Sequence, residues 1–223
     1  KEVYAERDFN ADAVWNDYEV DRVPYFISDG AKRDRLPWSG DLDWAFRSGF
    51  YSLGLHTAMA DTLRLFAEHQ TPDGYVMATF YPEYKGGYRS REYGHYESDM
   101  FSGWYLISLG TYYLYLDDLD LVRILYPSVR NGLHYFLKYI GADGLFYQRF
   151  ETSKGLWDHR IGDYGKHSYT NLIVLESFRV GIKLAKALNE QDDVTIFSET
   201  VQRMSDGIQR FLWSEKCGGF IRS

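Results

Sequence analysis

The stretch from Asp29 to Asp41 concentrates the residues of this chain whose types and spacing could do chemistry. It holds three carboxylates, three cations and one indole within thirteen residues, and two glycines and a proline make it a loop. Carboxyl groups that converge on one pocket repel one another, so one of them stays protonated. Such a group can act as a general acid. A solvated loop of self-neutralising charges is the alternative, and the bulky indole of Trp38 argues against it, because such a ring usually packs on something.

The three carboxylates of the loop are Asp29, Asp34 and Asp41. Arg33 or Arg35 would hold the members that stay ionised. Each aspartate alone could instead cap a helix or form a surface ion pair. For Asp41 the capping interpretation is concrete, since this residue directly precedes a predicted helix.

The composition is that of a globular protein with a sizeable core. The chain has 223 residues, of which 45% are hydrophobic, 26% charged and 18% aromatic. The net charge of −7, without a basic cluster, disfavours nucleic acid or an anionic membrane as a partner. The single cysteine excludes an internal disulfide, and the six histidines lack metal-ligand spacing, so no metal or other cofactor is expected.

Helical periodicity predicts that long helices position the loop. After the loop, apolar residues recur at helical spacing over one predicted helix, which Thr71-Pro72-Asp73-Gly74 ends. The other predicted helices span approximately residues 8–25, 98–116, 119–140, 172–188 and 194–213. Pro127 marks a kink or a late start in one of them. Segments 75–93 and 145–165 are too irregular for helices, and long ordered loops of this kind tend to be functional.

An internal repeat relates these helices to one another. Asp73-Gly74-Tyr75, Asp143-Gly144-Leu145 and Gly218-Gly219-Phe220 are similar turns that end helices, and the glycines at 74, 144 and 219 lie 70 and 75 residues apart. Each interval holds two helices and a loop, and such regular spacing indicates stacked helical hairpins. Glycine caps are common and explain each turn singly, but they do not explain the spacing.

The loop also resembles the signature of a known family. Its pattern, Asp-Gly-x-Lys-Arg-Asp-Arg-x-x-Trp-x-Gly-Asp over residues 29–41, looks like that of the bacterial and fungal α-L-rhamnosidases of glycoside hydrolase family 78. The resemblance implies an all-α fold of the (α/α)6 toroid type, the six-hairpin glycosidase barrel. Residues 1–223 would form a single partial catalytic domain with about three hairpins, the first half of that barrel. The hairpin spacing then places the loop between the two helices of the first hairpin, at the mouth of the toroid.

The resemblance implies an inverting acid/base mechanism that removes terminal α-L-rhamnose from glycosides or polysaccharides. The position after the loop's first arginine carries the family's proton donor, often Glu, and here it is the shorter Asp34. Asp29 or Asp41 could share this role. By the same resemblance Asp29, Arg33 and Asp41 hold sugar hydroxyls. Trp38 would pack on the methyl side of the deoxy sugar.

Two further segments would lie at the mouth of the toroid. Family members carry an acidic residue and an aromatic one at the places of Asp99 and Tyr96, which makes these two candidates for substrate contacts. Ser98 or Asp99 could instead simply cap the helix that begins there. Trp157 and Asp158 resemble a family loop whose tryptophan lines the rhamnose pocket, and a core-capping tryptophan is the alternative.

The family's general base is a glutamate in the second half of the barrel, and no residue of this chain matches it. The resemblance therefore implies two partners, a rhamnose-containing carbohydrate and the remainder of the barrel, without which the chain would be inactive. Two alternatives stay open. One is another α/α-toroid sugar enzyme, an uronyl hydrolase or a polysaccharide lyase that uses Arg89 and Arg91 near the Tyr88–Tyr96 segment. The other is a non-catalytic carbohydrate-binding fragment.

Overall fold

Six α-helices and one two-stranded sheet make up the part of the chain that the computed structural model describes, residues 26–28, 36–80, 98–148 and 165–221. The helices are α1 (Leu42–Leu53), α2 (His56–Glu68), α3 (Asp99–Leu116), α4 (Leu119–Leu137), α5 (Ser168–Leu188) and α6 (Gln191–Phe211). The strands are β1 (Trp213–Ser214) and β2 (Gly219–Phe220), which pair antiparallel.

The six described helices form three hairpins, each closed by a connection of two residues. The first residue of each connection takes a left-handed backbone conformation, with φ of 61° at Gly54, 50° at Asp117 and 63° at Asn189. Its N–H donates to a carbonyl of the preceding helix, which ends the helix and reverses the chain. The prediction of about three helical hairpins is therefore confirmed.

The first helices of the hairpins, α1, α3 and α5, form an inner layer of parallel helices. A Cβ on Gly103 of α3 would lie 2.5 Å from Ile173 of α5, and one on Gly110 would lie 2.6 Å from Val180. The contacts thus advance in the same direction along both helices, and the two glycines permit their close approach. Ring contacts between α1 and α3 advance in the same way. All three inner helices consequently begin at one end of the layer.

The second helices of the hairpins, α2, α4 and α6, pack behind the inner layer, and the main core fills the space between the two layers. Its largest fully buried rings include Tyr105, Phe136, Phe178 and Phe197. Each such side chain contributes about 1.5–3 kcal/mol relative to an exposed one. None of the described helices is long and apolar enough to cross a membrane.

The single helix predicted between the loop and Thr71 is wrong, because two helices occupy this stretch. Gly54 leaves the helical region after α1, and α2 starts at His56. Apolar residues keep their helical spacing across the break because α1 and α2 bury their faces in the same core. Periodicity alone therefore does not reveal the turn.

The end of the described chain also differs from the prediction. A β-hairpin follows α6, and Gly218 carries the positive φ of its turn while Gly219 lies in β2. The third turn is thus not a copy of the turns at Gly74 and Gly144. Pro127 lies inside α4, which begins at Leu119, so the proline does not mark a late start.

The described end of the signature loop leads directly into α1 and therefore precedes both helices of the first described hairpin. The prediction that the loop lies between two helices of one hairpin needs the helix expected before the loop, so it stays a prediction. The helix predicted over residues 8–25 lies outside the described residues.

Candidate functional site

The starts of α1, α3 and α5, which the predicted site segments precede in the chain, lie at one end of the inner layer. In chain order, the signature loop directly precedes α1, the segment with Tyr96 precedes α3, and the segment with Trp157 precedes α5. Because the three helices are parallel neighbours, the chain enters all of them at the same end. We call this end of the inner layer, with the connections that enter it, the mouth.

Three of the predicted site residues, Trp38, Asp41 and Asp99, lie within the described part of the chain. The others lie outside the described residues, and they are Asp29, Arg33, Asp34, Tyr96, Trp157 and Asp158. The roles assigned to them stay predictions. Among the described residues, no group of three or more His, Cys, Asp or Glu side chains could hold a metal ion.

Trp38 anchors the base of the signature loop in the protein. Its side chain is 5% exposed and its ring meets that of Phe101 edge to face, with centroids 6.0 Å apart. Leu36 and Ala78 complete this small apolar cluster. The indole therefore packs on the protein, as expected for a loop that is not a freely solvated connection.

Hydrogen bonds fasten the same part of the loop to the segment that follows α2. The Ser39 N–H donates to the Ala78 carbonyl at 2.8 Å, and the Ser39 hydroxyl donates to the Met77 carbonyl at 3.1 Å. The Thr79 hydroxyl donates to the Pro37 carbonyl at 2.6 Å. All of these donors are buried, so each loss would leave a costly unpaired group. The loop consequently has a fixed exit into α1.

Asp41 lies exposed at the start of α1, at the mouth. It occupies the N-cap position, yet its carboxylate makes no hydrogen bond that caps the helix. Gly40 before it packs so closely on Phe101 that a Cβ would lie 2.6 Å from the ring. The capping interpretation of Asp41 therefore lacks its hydrogen bond, and the residue lies on a loop end that is held closely against α3.

Ser98 and Asp99 at the start of α3 have different roles. The Ser98 hydroxyl accepts from the Phe101 N–H at 3.2 Å and thus caps the helix, while the Ser98 N–H donates to the Tyr75 hydroxyl at 2.5 Å. Asp99 is fully buried, and its carboxylate accepts from the Tyr135 hydroxyl of α4 at 2.9 Å. Asp99 therefore ties the inner layer to the outer layer at the mouth, and its contact with substrate stays a prediction.

Within the connection from α4 to α5, one backbone pair joins the residues on either side of the segment that carries Trp157 and Asp158. Gln148 and Gly165 exchange two backbone hydrogen bonds of 2.8 and 2.9 Å. Lys166, directly after this pair, binds the carboxylate of Asp143 and lowers its pKa. The chain between Gln148 and Gly165 is thus tethered at its two ends, close to the start of α5.

The sequence did not predict a polar network between α1 and α3. Asp43 is 3% exposed and accepts from the Thr111 hydroxyl at 2.5 Å and from Nε of Arg47 at 2.8 Å. The hydrogen bond that Arg47 donates to Asp43 raises the pKa of the guanidinium. The spacing of four residues between Asp43 and Arg47 on one helix was a visible signal, whereas Thr111 is 68 residues from Asp43 in the chain.

The chain matches a described protein family over residues 25–222, the bacterial alpha-L-rhamnosidase 6 hairpin glycosidase domain. None of the curated proteins matches the chain.

Solved structures of three rhamnosidases share the fold. The chain is 19% identical to a rhamnosidase from Klebsiella oxytoca solved with rhamnose bound, with a TM-score of 0.72 over 88% of this chain and 37% of that one. It is 16% identical to a family GH78 rhamnosidase of Bacillus sp. GL1, with a TM-score of 0.69 over 84% and 19%. It is 15% identical to an α-L-rhamnosidase from Dictyoglumus thermophilum, with a TM-score of 0.61 over 82% and 20%.

The chain thus spans at most 37% of the length of these three proteins. The likeness supports the fold predicted from the sequence, an all-α arrangement of the six-hairpin type. Since the family match extends over almost the whole chain, the protein belongs to the family of bacterial α-L-rhamnosidase six-hairpin glycosidase domains.

Proposed function

We propose that the protein that carries this chain removes terminal α-L-rhamnose from glycosides or polysaccharides by an inverting acid/base mechanism. The observation that carries the proposal is the family match over residues 25–222. The signature loop supports it, because its described end is fastened at the mouth beside the start of α3. Water is the acceptor in such a reaction.

The general acid of the proposed reaction is Asp34, assisted by Asp29 or Asp41. An acid that works near neutral pH needs a raised pKa, and neighbouring carboxylates raise it by repulsion. Asp41 is a candidate for this role because the residue lies exposed at the start of α1 and its side chain does not cap the helix. Arg33 would hold the ionised members of the group.

The remaining predicted residues would recognise the sugar. Trp38 would give the C5 methyl group of rhamnose an apolar wall, although only 5% of its side chain is exposed. Tyr96, Trp157 and Asp158 would contact substrate from the connections that enter α3 and α5. Asp99 would support this site from beneath, through its hydrogen bond to Tyr135, in addition to any direct contact with substrate.

We also propose that the general base comes from further hairpins of the same barrel and that residues 1–223 form one part of the catalytic domain. The described residues form three hairpins, whereas a six-hairpin domain needs twice that number. The solved rhamnosidases are much longer than this chain, which covers 37% or less of each. The isolated chain should then bind sugar weakly and leave glycosides intact.

Hydrolysis of p-nitrophenyl α-L-rhamnoside by the full-length protein tests the proposal. Proton NMR should show β-L-rhamnose as the first product, because water attacks the anomeric carbon from the face opposite the leaving group and inverts its configuration. The matched control is p-nitrophenyl α-L-mannoside, which adds one hydroxyl at C6 and should react more slowly. An α-anomer as first product would contradict inversion. Failure to release rhamnose, or an ultraviolet-absorbing unsaturated product from an acidic polysaccharide, would contradict the function itself.

A further inference from the structure

Two tryptophans lie side by side on α1 and α3 near the mouth. Trp44 is 66% exposed, and its indole lies 6.4 Å from that of Trp104, with the ring planes tilted by 46°. Tryptophan offers a large apolar ring with a polar N–H, so two indoles in contact near the mouth form a candidate platform for a ligand ring.

The pair lies on the side of the inner layer that faces away from α2 and α4. Trp104 packs with Met100, Ile107 and Ile173 in a small cluster that is separate from the main core. The main core fills the space between the two layers, so this cluster belongs to the opposite face of α3 and α5. In a closed ring of hairpins this face is the concave one.

A series of packing contacts joins the two indoles to the described end of the signature loop. Phe101 packs on Trp38 of the loop, with ring centroids 6.0 Å apart. The same Phe101 also packs against the cluster that contains Trp104. Packed rings therefore lead from the buried Trp38 over Phe101 and Trp104 to the exposed Trp44.

A paired cation follows Trp44 on α1. Arg47 lies three residues after Trp44, on the same face of α1, and 47% of its side chain is exposed. The buried carboxylate of Asp43 holds its Nε at 2.8 Å, so the positive charge is already paired. A guanidinium that is already paired gives an anionic sugar little advantage, and indoles favour an apolar face, so a neutral ring fits best.

We propose that Trp44 and Trp104 form the subsite for the leaving group of the substrate, which would be a neutral ring that bears hydroxyl groups. One indole would stack on the ring, and Arg47 would donate to a hydroxyl at its edge. The proposal rests on the proposed rhamnosidase function. Two sources of such a ring, an aromatic aglycone and a second pyranose, share this chemistry and are separated by the experiment.

The test compares three substrates in the full-length protein, in which the leaving group is fluoride, a phenolic ring or a glucose unit. Trp44→Ala should lower kcat/KM for at least one of the two ring substrates about fivefold, which is the effect expected from losing one ring contact. The same variant should leave α-L-rhamnosyl fluoride unaffected, because fluoride cannot reach the indole. Trp44→Phe keeps a ring and should restore much of the loss.

Leu114→Ala is the matched control, because Leu114 is also exposed, at 76%, and lies near the other end of α3. It should change none of the three rates. The substrate that loses most identifies the ring, either aromatic or sugar. Equal losses on all three substrates, or no loss on either ring substrate, would overturn the subsite. A wild type that hydrolyses none of the three would instead overturn the proposed function, and the subsite with it.

Discussion

The two ends of the three hairpins use their connections for different purposes. At the end away from the mouth, two residues join the helices of each hairpin, and the first of them is always left-handed. The connections that precede α3 and α5 are long, and together with the loop before α1 they hold every predicted site residue except Asp99, which begins α3. Short connections fix how the two helices of a hairpin pair. Long connections can vary in sequence without altering that pairing, so chemistry is free to reside there.

Part of the mouth is nevertheless as tightly specified as the opposite end. The connections after α2 and α4 each begin with the same turn, in which Gly74 and Gly144 have φ of 97° and 78°. A Cβ on Gly74 would lie 2.2 Å from the Asn131 carbonyl, and one on Gly144 would lie 2.2 Å from the Arg203 carbonyl. Each turn thus docks on the outer helix of the following hairpin. The variable segments start from these docked turns.

The largest expected effect on stability comes from adding one methyl group to a glycine, and its size should differ between the two ends of the hairpins. Gly144→Ala should lower the free energy of unfolding by roughly 3 kcal/mol, because it combines left-handed strain with a backbone clash. Gly54→Ala at the opposite end meets no atom closer than 3.9 Å. It should cost only about 1 kcal/mol, from strain alone. Urea denaturation of the full-length protein measures both, and equal losses would show that docking of the turn contributes nothing.

A second change concerns how the inner helices are held together. Thr111→Val removes the hydroxyl that donates to the buried carboxylate of Asp43. The free energy of unfolding should fall by about 2 kcal/mol, since a buried acceptor loses its partner. Thr195→Val, the same substitution at an exposed site on α6, should cost less than about 0.5 kcal/mol. Thermal unfolding of both variants checks the difference, and similar midpoints would mean that the network is dispensable.

The smallest effect concerns the end away from the mouth and depends on pH. Asp118 caps α4 by accepting from the Leu121 N–H at 3.0 Å, and this bond lowers its pKa. Because the folded-state pKa lies below the unfolded one, the stabilisation is complete above the ordinary carboxyl range and is lost as the pH falls below about 4. Asp118→Ala should therefore cost about 1 kcal/mol at pH 7. The difference from wild type should shrink towards pH 2.

Unfolding of wild type and Asp118→Ala as a function of pH measures this difference. Asp118→Asn retains a capping oxygen and lacks the titration, so it is the matched control. A penalty for Asp118→Ala that stays constant from pH 7 to pH 2 would contradict the assignment.

Most of the fold could be predicted from the sequence because local signals determine it. Helical periodicity and the glycines at 74 and 144 are visible without a structure. The break at Gly54 was hidden, because one core receives the apolar faces on both sides of it. The β-hairpin at the end was hidden because its strands have only two residues each.

The site was less predictable, since it depends on contacts between distant parts of the chain. The sequence did not show which of Ser98 and Asp99 caps the helix. The structure shows that Ser98 caps it, while Asp99 is buried and accepts a hydrogen bond from Tyr135 of α4. The link between Asp43 and Thr111 joins residues 68 positions apart. Likewise, the pairing of Trp44 with Trp104 follows only once α1 and α3 are known to be parallel neighbours.

The central claim, that the loop at the mouth supplies the acid, is tested most directly by Asp34→Asn in the full-length protein. For a rhamnosyl disaccharide, whose leaving group needs a proton, kcat/KM should fall at least about 100-fold. For α-L-rhamnosyl fluoride, whose leaving group needs none, it should stay within about threefold of wild type. Asp117→Asn makes the same change at the opposite end of the hairpins and should alter neither rate. Unchanged hydrolysis of the disaccharide by Asp34→Asn would contradict the account.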